Sequence, residues 1–317
     1  MKFVEVGWNG IFFEVPEDFR LLNERGNFKD GYMRFESENG ILELKWEHTP
    51  RRTKSISEVA SEFIKQLGKK YKKMKISVKK TKATRVFGHH ASYMGLKTNM
   101  EEPTYLWHCD ESKRIILCHF AFKSMNETSR EIVKRVIETF KCHGEDPNTW
   151  SLLGFSFKAP PTFLLTDRKM TVGGSHLLLV ESETGLYKEM RREIFFQYYS
   201  MANILFKDDY KDPVKWMENN YIKNLKKRYR KLKFQEVEPR RFRRHTAAVQ
   251  KGASKSGFFW RKRSVYINLT WYCSKSNRMY SVTVSSHMKK PVFSKLELDE
   301  KALENLAETV FSSIKCH

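Results

Sequence analysis

Apolar residues recur along this chain at two spacings, and each spacing appears in both halves. Val59, Phe63, Leu67, Tyr71 and Met74 follow one another in steps of four, four, four and three, as do Met217, Tyr221, Leu225, Tyr229 and Leu232. Each set draws one buried stripe along a helix. A second pair of helical stripes closes the halves: Ile132, Val133, Val136, Ile137 and Phe140, then Leu303, Leu306, Ala307, Val310, Phe311 and Ile314. The stretches between them alternate with period two. Gly10 to Phe19 alternates into a proline and returns as Gly154 to Phe163 at an offset of 144, the pattern of a strand ending in a turn.

Continued along the chain, the alternation predicts strands at Tyr32 to Glu36 and Ile41 to Glu47 around the hairpin signal Ser37-Glu38-Asn39-Gly40. Longer counterparts lie at Ser175 to Glu181 and Ile194 to Phe206. The helices start at Ser55-Ile56-Ser57-Glu58 and at Asp212-Pro213, both N-terminal signatures. Past them, Met74, Ile76 and Val78 alternate as a strand would, and Phe87-Gly88-His89-His90-Ala91 stands against Phe242-Arg243-Arg244-His245-Thr246. That alignment makes His90 and His245 equivalent turn residues. Tyr105 to Asp110 with Ile115 to Phe122 matches Ile267 to Cys273 with Met279 to Ser285, with Trp107-His108-Cys109 answering Trp271-Tyr272-Cys273 at an offset of 164. The closing strings are Lys141-Cys142-His143 and Lys315-Cys316-His317.

The expectation is two tandem similar domains, residues 1–147 and 148–317, of the α+β class, each an antiparallel sheet covered by helices. The strand into Pro and Phe, the Ser-initiated long helix, the Phe87-Gly88-x-x-Ala91 turn and the terminal helix together resemble the Mog1/PsbP-like family. That resemblance implies an α-β-α sandwich in a family of binding and assembly-factor proteins without shared catalytic residues. The tandem arrangement and the basic charge depart from the family's usual pattern.

Composition sharpens the picture at two points. Across 317 residues the net charge is +22. Residues up to 149 hold 27 basic against 21 acidic side chains and the remainder 32 against 16, so the excess gathers in the second half. Charge of this size favours polyanionic partners. From Lys223 to Arg263 there are 16 Lys or Arg residues against only Glu236 and Glu238. The candidate nucleic-acid-binding residues are Lys226, Lys227, Arg228, Arg230, Lys231, Arg240, Arg241, Arg243, Arg244, Trp260, Arg261, Lys262 and Arg263. Cations neutralise phosphates by releasing counterions, and Phe258, Phe259 and Trp260 offer faces on which unpaired bases stack. A solvated helical face explains the Lys-rich run equally well.

The five cysteines make neither a secreted disulfide framework nor a CxxC pair, which fits a reducing compartment. Cys109, Cys142 and His143, with Cys273, Cys316 and His317, make two similar soft-ligand sets as an alternative to inert buried thiols or a disulfide in each half. Cys118 or His119 could join the first. The leading expectation is no metal and no cofactor. GxxxxGK[ST], GxSxG, HExxH and the dinucleotide fingerprint are all absent from the sequence, so a non-enzymatic role is expected. No run of about 18 apolar residues occurs, giving an expectation of a cytoplasmic protein without a membrane span. The expected partner is a polyanion, DNA or RNA foremost, with a protein-interaction or assembly module binding an acidic protein as the alternative and a small-molecule enzyme or carrier third.

Overall fold

The computed structural model describes residues 1–49, 54–70, 77–144, 147–152, 154–171, 173–207, 209–223, 232–293 and 297–317. Tyr71, Met74, Leu225 and Tyr229 of the two helical stripes lie outside the described residues, as do Lys226, Lys227, Arg228, Arg230 and Lys231. The chain divides into two units, Met1–Leu153 and Gly154–His317. Both are rich in sheet and similar in element order.

The first unit opens with the hairpin β1 (Phe3–Trp8) and β2 (Ile11–Pro16), whose other edge neighbour is β10 (Asn148–Leu152). Gly10, at φ 72°, makes the turn of this hairpin, a conformation that costs glycine least. The main sheet has seven antiparallel strands in the order β3-β4-β5-β9-β8-β7-β6. They are β3 (Arg20–Gly26), β4 (Gly31–Glu36), β5 (Ile41–His48), β6 (Ser77–Val86), β7 (His89–Lys97), β8 (Glu101–Cys109) and β9 (Arg114–Ala121). Helix α1 (Ile56–Lys70) starts in a capping box, in which Ser55 N–H donates to Glu58 at 2.6 Å and Glu58 N–H to Ser55 Oγ at 3.2 Å. Its stripe residues Val59, Phe63 and Leu67 pack on Met94, Leu96 and Leu106. Across the sheet the layer is different. Phe13 of β2 stacks on Phe140, which follows helix α2 (Glu127–Thr139), at 5.5 Å between ring centroids, and Phe140 meets Trp107 edge-on at 4.9 Å.

The second unit repeats this plan with longer strands. Its eight-stranded sheet runs β12-β13-β14-β19-β18-β17-β15, with β16 also paired to β17. The strands are β12 (Leu164–Lys169), β13 (Ser175–Gly185), β14 (Lys188–Ser200), β15 (Leu232–Phe234), β16 (Glu238–Phe242), β17 (His245–Ser256), β18 (Trp260–Cys273) and β19 (Arg278–Pro291). The short helix α3 (Ala202–Leu205) precedes α4 (Pro213–Trp216), which Asp212 caps by accepting from Val214 N–H at 3.0 Å, and which runs on as a π-helix through Met217–Ile222. Met217 and Tyr221, the described helical part of the second stripe, are buried with Trp216, Ala248 and Met279. Helix α5 (Glu300–Ser313) buries Leu303, Leu306, Ala307, Val310 and Phe311. It packs beside β11 (Phe155–Ala159), whose Phe155 and Phe157 stack on Phe196 at 4.5 and 5.0 Å.

The expectation of an α+β, helix-covered sandwich does not hold, because the molecule is mostly β. Strands β14, β18 and β19 have 13, 14 and 14 residues, far above a usual strand of about five or six. The apolar stripes located the described helices, although Leu232, the last residue of the second stripe, belongs to strand β15. They did not reveal that the opposite face of each sheet is closed in large part by the short strands β2 and β11. An aromatic on such a strand buries as much surface as a helical stripe residue, so covering a sheet does not require a helix.

Candidate functional sites

Two kinds of feature stand out: a pair of cysteine–histidine clusters, one in each unit, and an aromatic, basic end of the eight-stranded sheet.

The first cluster joins His89, Cys109, Cys142 and His143, whose donor atoms all lie within 4.8 Å of one another. Three elements meet there. His89 opens β7 after a two-residue turn in which Phe87 and Gly88 take φ 47° and 81°. Cys109 ends β8. Cys142 and His143 follow a backbone bridge in which Phe12 and Lys141 exchange hydrogen bonds at 2.9 and 2.7 Å. His143 lies in a bend, which turns its ring back so that Nδ1 sits 3.2 Å from Cys109 Sγ, 3.3 Å from His89 Nε2 and 3.5 Å from Cys142 Sγ. The second cluster joins His245, Cys273, Cys316 and His317 within the same limit. Cys273 Sγ lies 3.2 Å from His317 Nδ1, and Cys316 Sγ lies 3.3 Å from His245 Nε2 and 3.4 Å from His317 Nδ1. The bridge that leads into it, Ser156 with Lys315, stands at the expected offset of 144 from Phe12.

All four cluster cysteines are buried free thiols. Cys109 is held down to about 5, chiefly by the hydrogen bond from the Cys142 thiol, and the Cys142 thiol is pushed up in return. Burial, followed by the charge of Cys273, lifts Cys316 to about 11. Burial also lowers His245, so its imidazole stays neutral and able to donate a lone pair. Beside the first cluster, Arg114 is fully buried and donates to the carbonyls of Asn9 at 2.9 Å, Phe28 at 3.2 Å and Cys142 at 2.7 Å.

Sequence reasoning found six of these eight residues and missed His89 and His245: it paired His90 with His245 as equivalent turn residues and gave neither a ligand role. Val86 pairs with His89 and Phe242 with His245, so the true counterparts are Val86 and Phe242, not Phe87 and Phe242. A slip of one residue in a strand transfers the choice to the opposite face. Neither Cys118 nor His119 takes part. Cys118 is buried, and His119 Nδ1 lies 2.9 Å from Thr104 Oγ1.

The structure also divides the basic window. Arg240 and Arg241 are exposed on β16, and Arg243 and Arg244 are exposed in the turn beside His245. Trp260, Arg261, Lys262 and Arg263 belong to β18, at the other end of the 12-residue β17. At about 3.4 Å per residue, the two groups stand roughly 35 Å apart. Arg263 is ion-paired with Glu300, and Arg261 donates to the Val292 carbonyl. Around them is an apolar end of the sheet: Phe258 is 82% exposed, Phe259 75%, Phe293 97% and Leu186 85%. Trp260 pairs with Pro291 across β18 and β19, and Glu189 of β14 pairs with Lys289. The tips of β13–β14, β17–β18 and β19 therefore end side by side. Lys289 Nζ lies 5.1 Å from the Trp260 ring centroid, within cation–π range.

No protein-family model and no curated protein matches the chain. Solved structures do. Cyanobacterial PsbP from Synechocystis is similar over 42% of this chain and 86% of its own, at 11% identity and a TM-score of 0.35. The T6SS immunity protein TplEi of Pseudomonas aeruginosa is similar over 99% of this chain and 97% of its own, at 9% identity and a TM-score of 0.32. The same protein complexed with an "L" peptide aligns over 99% and 98%, at 10% identity and a TM-score of 0.34. Among the described residues, no helix is long and apolar enough to cross a membrane.

Proposed function

We propose that this chain is a non-enzymatic binding protein, built by duplication of a PsbP-like unit, whose second unit uses the aromatic end of its large sheet to hold a polyanion, single-stranded nucleic acid foremost. One observation carries the reading. Phe258, Phe259 and Trp260 are exposed together in a hairpin that also exposes Lys255 and Lys262, so stacking faces and cations occupy one surface. Bases stack on exposed aromatics irrespective of sequence, while cations follow the backbone. The first unit offers no such surface at the matching hairpin, where β7 and β8 join through Thr98, Asn99 and Met100.

Fluorescence anisotropy of labelled single-stranded and duplex DNA and RNA across a salt series tests this. The expected result is salt-sensitive binding that prefers single strands and is lost in Phe258→Ser/Phe259→Ser/Trp260→Ser. If that variant binds as the parent does and Arg240→Ala/Arg241→Ala/Arg243→Ala/Arg244→Ala does not, the surface has been placed at the wrong end of β17. A second reading, an acidic protein partner at the same tip, draws on the exposure of Leu186 and Phe293, which stacking does not require. A pull-down that survives nuclease treatment and depends on Leu186 favours it.

A further inference from the structure

We infer that each unit carries a structural zinc site, formed by His89, Cys109, Cys142 and His143 in the first and by His245, Cys273, Cys316 and His317 in the second. This stands apart from the polyanion reading, since neither cluster includes a tip residue.

The argument begins with the shape of the clusters. With Zn–N near 2.0–2.1 Å and Zn–S near 2.3 Å, a tetrahedral S2N2 site has ligand-to-ligand edges of about 3.3 to 3.8 Å. Three of the six separations in each cluster, 3.2, 3.3 and 3.5 Å in one and 3.2, 3.3 and 3.4 Å in the other, fall close to that range, and all six lie within 4.8 Å. Two thiolates and two neutral imidazoles cancel the charge of one Zn2+, the donor balance that suits zinc among the divalent metals.

The surroundings add a second observation. Trp107 and Trp271, equivalent at an offset of 164, are fully buried, and the indole N–H of each lacks a well-formed hydrogen bond. Trp107 precedes Cys109 by two residues in β8 and Trp271 precedes Cys273 by two in β18, so each indole shares a sheet face with its cluster, where a metal-bound thiolate offers a buried donor an acceptor. Recurrence is the third. The strands around the clusters differ in length by several residues between the units, the inter-unit offset runs from 156 at His89 to 174 at Cys142, and the four donors still converge.

Zinc has a mechanical role here. It ties the start of β7, the end of β8 and the segment following α2 into one point, and in the second unit the start of β17, the end of β18 and the segment following α5. In each unit it adds a bond between a hairpin turn and a chain segment outside any strand, which one backbone bridge and a hydrogen bond to the cysteine carbonyl also hold. Binding expels the remaining thiol protons as each ion enters, so occupancy falls with acid.

The test is metal content of the full chain, stripped with chelator and given zinc, then gel-filtered and measured by mass spectrometry. The parent is expected to hold two equivalents. Cys109→Ser and Cys273→Ser should each retain one, the intact unit serving as the control for folding, and Cys118→Ser should retain two. Cobalt titration of the parent supplies a readout independent of any variant: thiolate-to-cobalt charge transfer should rise linearly to two equivalents. A parent that binds no metal, or zinc content unchanged by Cys109→Ser and Cys273→Ser, or cobalt without charge-transfer absorption, overturns the inference.

Discussion

The clusters that close the two units use the same four residue types, yet what surrounds them has diverged. Beside the first, Arg114 is fully buried and holds the Cys142 carbonyl at 2.7 Å. Its equivalent beside the second, Arg278, is partly exposed and lies with its guanidinium 4.7 Å from the Tyr198 ring centroid, while the Tyr280 hydroxyl reaches the Cys316 carbonyl at 3.5 Å. Glu111 places a carboxylate oxygen 3.8 Å from both His89 Nε2 and His143 Nδ1. The second unit has the exposed Lys275 at that position. Closing segments can be held by unlike partners, and local charge can even reverse, while two sulfurs and two imidazoles stay together. The difference teaches that the donor set is the constraint and the rest is scaffolding.

The largest effect expected from breaking this comparison lies at the two arginines. Arg114→Leu leaves two buried carbonyls and the half-buried carbonyl of Phe28 without this donor and should cost about 3 kcal/mol in urea unfolding. Arg278→Leu, at a partly exposed site, should cost about 1 kcal/mol; equal losses would remove the distinction drawn between them.

Exchanging the charges comes next. Glu111→Lys should weaken zinc at the first site about tenfold in a competition assay with a chromophoric chelator, and Lys275→Glu should strengthen the second, as partners outside the ligand shell do elsewhere. At the far end of the second unit, Phe258→Ser/Phe259→Ser/Trp260→Ser should remove about 1–3 kcal/mol of single-strand affinity for each base that stacks. Unfolding stability should stay within about 0.5 kcal/mol, because these side chains are exposed.

Alkali gives the smallest contrast. Burial raises Tyr199, Tyr266, Tyr272 and Tyr280 in the second unit, and Tyr93 and Tyr105 in the first, the last to about 12. The folded chain then keeps protons that the unfolded chain sheds near pH 10. This stabilisation is complete below that pH and is lost as pH rises through the folded values. The tyrosinate absorbance of these six should therefore appear together with unfolding and not before it.

Much of this arrangement was legible in the sequence. The stripes at Val59, Met217, Ile132 and Leu303 found helices because a helical period is independent of tertiary context, and the repeated Lys-Cys-His string pointed at both clusters. The missed histidines show where such reading fails. Two phenylalanines, Phe87 and Phe242, invited an alignment that the hairpin register does not support, since Phe87 sits in the turn and Phe242 in the strand. The basic window is divided between two places for a related reason. Residues 240 to 263 are close in sequence, but β17 is a long strand, and a long strand carries its ends apart. Fold class was misjudged because the sheet layers, with aromatics such as Phe13 and Phe155 on short strands, bury apolar surface without leaving a helical period.

Zinc K-edge X-ray absorption on the loaded full chain tests the central claim most directly. Two matched sites predict a sulfur shell at about 2.3 Å and a nitrogen shell at about 2.0–2.1 Å, two scatterers of each kind per zinc. A spectrum fitted by nitrogen and oxygen alone would contradict the account and return all eight residues to an ordinary packed interior.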